Sequence, residues 1–258
     1  MQHIDGSEIS VAIDLDQGAR IASLQWRDLQ FALPFRGTPL SWGWYAMGPW
    51  AGRITDGILY DESGESDEEI TLPTIWAPPH AIHGFGFTGS WEETGTGAAR
   101  FALPAPYEGA FLEQRIEILD DAVRWTLEYE ANGCTLPAWL GFHPWFPREL
   151  ERGGEAELEF TAAQMFVRNE EGMPTGELIP APEGPWDDCF TGVRGTPTII
   201  WPGAARLAIE SDAPYWVVYT EDPEGIAVEP QTAPPDAANL GLVGDHYIEA
   251  LFTFSEDF

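Results

Sequence analysis

A chain of 258 residues with 44% hydrophobic and 13% aromatic residues can bury a large core and is not a disordered segment. It carries 43 acidic residues against 12 basic ones, a formal net charge of −31, and every basic residue is arginine. A surface so acidic repels phosphate backbones and anionic lipid headgroups, so nucleic acid and membranes are excluded as expected partners.

The first stretch, MQHIDGSEISVAIDLD, has neither a basic nor an apolar signal segment. No apolar run approaches the roughly 18 residues of a membrane span, and the expectation is a cytoplasmic protein. Ile9, Val11 and Ile13 alternate with small or polar residues, the period of a half-buried strand. ESGESDEE (62–69) reads as a solvated acidic loop. QRIEIL (114–119) and VRWTLEYEA (123–131) are expected to pair as a hairpin through Asp120-Asp121, with Val123, Trp125, Leu127 and Tyr129 on one face. AELEF (156–160), ARLAIES (205–211), YWVVYTED (215–222) and YIEALFTF (247–254) are further strands. In GIAVEPQTAPPDAAN (225–239), Ile226 and Val228 mark a short buried strand that Glu229 ends and Pro230 stops. The 27 Gly and 22 Pro residues punctuate the chain at short intervals, and there is no long helical period, repeat or linker. This pattern predicts an all-β fold, one antiparallel β-sandwich domain over residues 1–258. Cys134 and Cys189 are too few for a disulfide framework or a zinc-ligand set and are read as free thiols.

Five histidines are candidates for chemistry. His143 lies in AWLGFHPWF (138–146), an apolar run that suits either a core histidine with one hydrogen bond or a functional one. His80 and His83 lie in PPHAIHGFGF (78–87), where prolines and glycines argue for loop and strand. A cupin-type metal site built on them is the weaker reading, because no H-x-H pair is present. Glu229 at the apolar end of a strand costs free energy unless it turns to solvent, meets Arg53, or is kept for proton transfer. Arg53 in GPWAGRITDG (48–57) offers a planar fork for hydroxyls or a carboxylate. Asp187 and Asp188 in GPWDDCF (184–190) stand beside aromatic residues. Polar groups set among aromatic side chains are the make-up of a small polar-ligand pocket, and sugar rings fit it.

In chain order, GPWAGRI, AIHG, GFHPWF, PWDDCF and VEPQTAP resemble the aldose 1-epimerase (galactose mutarotase) family across residues 48 to about 240. The resemblance implies a large galactose-mutarotase-type β-sandwich, a supersandwich. It also implies exchange of the α and β anomers of free aldohexoses such as glucose or galactose, with no cofactor and no metal. By motif position Glu229 takes the proton of the anomeric hydroxyl and His143 protonates the ring oxygen. Arg53 and His83 bind the substrate and its developing charge, and Trp145 is placed with them as a substrate-binding aromatic. Asp187 matches a hydroxyl-binding carboxylate, with Asp188 one step away. The sequence departs from the family at Gly52, where Asn is usual, and at Phe85, where a second Gly often follows His-Gly; both bear on sugar specificity. A hexose-6-phosphate mutarotase is the alternative within the family, disfavoured by acidic charge and sparse arginine. A non-catalytic sugar-binding sandwich is the alternative outside it. A small sugar is the expected partner, and the chain is expected as monomer or homodimer. The absence of lysine reflects either salt adaptation or GC-rich coding.

Overall fold

The structure, a computed structural model, describes residues 1–60 and 69–258. The expected acidic loop thus lies outside the described residues, save Glu69, which opens the short strand Glu69–Thr71. Two large sheets dominate, and every strand pair within them is antiparallel. The eleven-stranded sheet runs, from one edge inward, through Gln2–Asp5, Ile9–Asp14, Arg20–Trp26 and Trp44–Met47 to the adjacent strands Gly141–Pro147 and Gly225–Gln231. It continues through Tyr215–Tyr219, Asp187–Val193 and Ala162–Arg168 to Pro174–Pro180. The eight-stranded sheet centres on Phe111–Leu119, Ala122–Glu130 and Tyr247–Ser255. Among the described residues there is no α-helix, only short 3₁₀ turns. This is the antiparallel β-sandwich that the alternating pattern predicts.

Alternation explains how the sheets meet. In Ala122–Glu130 the residues Val123, Trp125, Leu127 and Tyr129 are buried while Glu128 and Glu130 are exposed. The hairpin turns at Asp120-Asp121, with Leu119 paired to Ala122. Trp125 crosses to the large sheet and stacks on Phe142 at 4.2 Å, and Phe252 meets Trp44 at 4.7 Å. Burying one such aromatic side chain contributes about 1.5–3 kcal/mol, and Trp26, Trp44, Trp50, Trp125, Trp139 and Trp201 are all fully buried. Cys134 and Cys189 are unpaired.

Two expectations are corrected. The strand over 225–231 does not end at Glu229; it runs through Pro230 to Gln231, and all seven residues are buried. Pro230 is tolerated because the ladder to Gly141–Pro147 is already interrupted there. Pairing holds at Gly141 with Gln231 and at Trp145 with Ala227, but not between. Pro144 on the facing strand and Pro230 both lack an N–H to donate into that gap. The strand expected over 215–222 stops at Tyr219.

Candidate active site

Period two places the site. In Gly141–Pro147, Phe142 and Phe146 point into the core, against Trp125 and Trp44. His143 and Trp145 therefore point to the opposite face, where both line a concave pocket of about 250 Å³. The apolar run around His143 is thus a strand buried on both faces, not a histidine inside the hydrophobic core. In the next strand, Ile226 and Val228 face the core while Glu229 and Gln231 line the pocket.

Register sets the neighbours. The pairs Gly141–Gln231 and Trp145–Ala227 bracket the gap, which puts His143 directly opposite Glu229. Tyr45 pairs with His143, Glu229 with Val217, and Val217 with Cys189. One row across five strands thus reads Tyr45, His143, Glu229, Val217, Cys189. The next row reads Trp145, Ala227, Tyr219, Asp187. Residues up to 98 positions apart in the chain, Tyr45 and His143, face each other for this reason alone.

His143 Nε2 lies 3.2 Å from Glu229 Oε1, with both side chains under a tenth exposed. Gln231 Nε2 donates to the other oxygen, Glu229 Oε2, at 3.2 Å. The imidazole lies between two aromatic faces, Tyr45 at 4.6 Å and Trp145 at 5.2 Å, and meets His83 edge-on at 5.1 Å. Trp145 is fixed by donating its indole N–H to the Leu40 carbonyl at 2.7 Å, an oxygen that also accepts from the Tyr45 hydroxyl. The Nδ1 atoms of His83 and His143 are buried without a partner. Native interiors seldom leave such groups unpaired, and functional sites are where they do.

Burial decides the charges. It pushes His143 down to about 3, and the nearby charge of Arg20 adds to this. Arg20 is itself buried, held by the carbonyls of Gln17, Trp42 and Phe87 and by the face of Tyr45. His83 is driven well below the ordinary imidazole range by burial, with His143 and Arg53 adding to it. Glu229 is driven well above the ordinary carboxylate range, first by burial and then by Asp187; the Gln231 hydrogen bond and Arg53 pull the other way. Both shifts act toward the charge-free arrangement, a protonated Glu229 carboxyl beside a neutral imidazole.

All six residues singled out from the sequence line this pocket: Arg53, His83, His143, Trp145, Asp187 and Glu229. Arg53 does not pair with Glu229; among the described residues its guanidinium has no carboxylate within 4 Å, whereas His143 and Gln231 hold Glu229. Asp187 and Asp188 both reach the pocket, at the start of a strand. Each is paired to Arg168 at 2.9 Å, and Asp188 is the more buried of the two. His80 points elsewhere, its Nδ1 accepting the Asp56 N–H at 3.1 Å. It therefore does not join His83 as a ligand pair, and among the described residues no group of three His, Cys, Asp or Glu could hold a metal.

The two departures have physical reasons. Gly52 has φ +72, and a Cβ there would stand 2.7 Å from the Pro235 ring, so Asn does not fit this backbone. Phe85 packs on Trp50 at 5.1 Å, outside the pocket. Tyr45, Arg168, Cys189 and Gln231 were not foreseen. Gln231 alone had a local signal, its two-residue spacing from Glu229; the others needed the register.

The profile of the aldose 1-epimerase family matches residues 3–243. The chain belongs to that family, one of isomerases acting at the anomeric carbon. A comparison with curated proteins finds no match. Among solved structures, the fold is shared with an aldose 1-epimerase candidate from Escherichia coli K12, at TM-score 0.81 and 18% identity over 99% of this chain and 98% of that one. It is shared with a galactose mutarotase-like protein from Clostridium acetobutylicum, at TM-score 0.79 and 16% identity over 99% and 95% of the two chains. The GalM/aldose epimerase homologue from C. elegans is similar at TM-score 0.78 and 17% identity over 100% and 99%.

Proposed function

We propose that this protein is an aldose 1-epimerase that interconverts the α and β anomers of a neutral free aldohexose without a cofactor. The observation that carries the reading is the His143–Glu229 contact, a proton donor and acceptor 3.2 Å apart on the floor of a sugar-sized pocket. One proton transfer across that contact converts the charge-free pair into carboxylate and imidazolium, the form that opens the ring. Glu229 then takes the anomeric O–H proton and the O–H electrons become the C1=O π bond. The C1–O5 bond breaks, and its electrons go to O5, which takes a proton from His143 Nε2. The aldehyde rotates about C1–C2, and closure on the other face runs the same transfers backward. Arg53 and His83 hold the substrate oxygens, Asp187 accepts from a ring hydroxyl, and Trp145 lies against the sugar ring.

The pocket favours a neutral sugar over a sugar phosphate. It holds Arg53 and Arg168 against Asp187, Asp188 and Glu229, and Arg168 is already engaged by both aspartates. A dianionic phosphate would meet that acidic pair with one uncommitted arginine to offset it. Polarimetry on freshly dissolved α-D-glucose, α-D-galactose and glucose 6-phosphate tests the reading. Faster mutarotation of a neutral aldose is expected, unchanged after prolonged EDTA treatment. No response across a broad aldose panel would refute the activity, and loss on chelation with recovery on Zn²⁺ or Mn²⁺ would refute the cofactor-free mechanism.

A further inference from the structure

Gln231 is fully buried, yet it has an amide that no hydrophobic role requires. Its Nε2 donates to Glu229 Oε2 at 3.2 Å, and its Oε1 is buried with no partner. The strand alternation puts Glu229 and Gln231 on the same face, one step apart. The facing strand makes room for the amide. Gly141 lies opposite Gln231 in register, and a Cβ there would stand 2.9 Å from Gln231 Cγ and 2.8 Å from Met47 Cε. A side chain at 141 would crowd Gln231 and Met47, which gives the glycine of GFHPWF a reason.

We propose that Gln231 is the positioning residue of the proposed base: its amide ties down Oε2 of Glu229 and so presents Oε1 to His143 and to the anomeric hydroxyl. The proposal rests on the aldose 1-epimerase reading. A carboxylate held by one oxygen is restrained from rotating, so the lone pair that takes the proton keeps its aim during turnover. The amide also favours the ionised carboxylate, because it donates to it. The other groups facing Glu229 are His143 from its own neighbouring strand, Asp187 and the Cys189 thiol from Asp187–Val193, Tyr45 from Trp44–Met47 and Arg53 from the pocket rim. Asp187 opposes ionisation and Arg53 assists it, so Gln231 offsets the aspartate from within the sheet.

The test is Gln231→Met, which keeps the length and removes the donor, read as a pH profile of kcat/KM. Loss of the donor disfavours the carboxylate. The limb that Glu229 governs therefore moves to higher pH, by about one unit for one lost bond to a charged group, with KM changed less than about twofold. A profile that falls in height with neither limb moved, or that does not change, overturns the proposal. Should Gln231→Met not fold, the native chain decides by NMR of ¹⁵N-labelled glutamine side chains. The Gln231 amide must titrate with the same midpoint as that limb, or, without activity, with one midpoint that Glu229→Gln abolishes. An amide signal that is invariant with pH overturns the proposal. A native chain that accelerates no aldose fails the functional reading instead, and the amide signal still decides the role of Gln231.

Discussion

His143 and Glu229 are buried against each other, and burial acts on them in opposite senses. The folded-state value of His143 is lowered to about 3 from the ordinary 6.5. Its contribution to stability is therefore present above 6.5 and is lost as pH falls from there toward 3. Glu229 is raised above 4.5, so its contribution is present below that value and is lost as pH rises through the folded-state one. Glu229→Gln keeps the shape and cannot ionise. Its melting midpoint at pH 7–8 should exceed that of the native chain, by roughly 2–4 °C for each kcal/mol recovered in a chain of this size. The same variant should lose kcat by about 10²–10⁴-fold, the usual size of a general acid–base contribution, and so should His143→Gln. The two losses should not add in the double variant, because both side chains serve one proton exchange. Calorimetry and steady-state kinetics on the three variants check both points. The sequence marked both residues, one as a titratable group in an apolar run and the other as a carboxylate at the end of an apolar strand. It did not say that they touch. That depends on the register between strands whose facing residues are 86 positions apart, which no local pattern records.

At the level of elements, the turn that carries His83 is tightly constrained. His83 has φ +58 and Gly84 φ +74, and the carbonyl of Gly48 accepts from Phe85 N and Gly86 N. A Cβ on Gly84 would stand 2.0 Å from that oxygen. Gly84→Ala should therefore cost about 2–4 kcal/mol by urea unfolding and reduce activity with it. Gly37, also at positive φ but with nothing within 4 Å of an added Cβ, is the control: Gly37→Ala should cost about 1 kcal/mol and leave activity intact. Strands with one wet face, such as Ala122–Glu130, were legible because polar and apolar residues alternate along them. Gly141–Pro147 was not, and Gly225–Gln231 was legible only as far as Glu229, for a physical reason. Their outer face is covered by the pocket, so both faces are buried and the alternation vanishes. Pro230 then reads as a strand breaker, whereas it and Pro144 mark the gap in the ladder where His143 faces Glu229.

Over the whole molecule, charge sets a separate expectation. Arginines form ion pairs across the surface, as Arg27 does with Glu8 and Arg152 with Asp28. They cannot offset a net charge of −31. Self-repulsion should destabilise the fold in dilute buffer, because the screening length shrinks from about 30 Å at 0.01 M salt to about 3 Å at 1 M. Thermal melts should show a midpoint that climbs from 0.05 to 2 M NaCl; a flat or falling midpoint rejects salt adaptation. The all-β class could be read from composition and alternation, but the order of strands in the large sheet could not. Arg20–Trp26 leads to Trp44–Met47, then to Gly141–Pro147 and Gly225–Gln231, and only the assembled sheet brings residues 45, 143, 229 and 189 into one row. In the proposed function the His143–Glu229 pair of this row exchanges protons with an anomeric centre. Magnetisation transfer between the α and β anomeric protons of glucose or galactose at equilibrium measures that exchange with no coupled assay. The native chain should accelerate the transfer for at least one of the two sugars, and folded Glu229→Gln and His143→Gln should abolish the acceleration. Acceleration that persists in both variants would contradict the assignment of the chemistry to this pair.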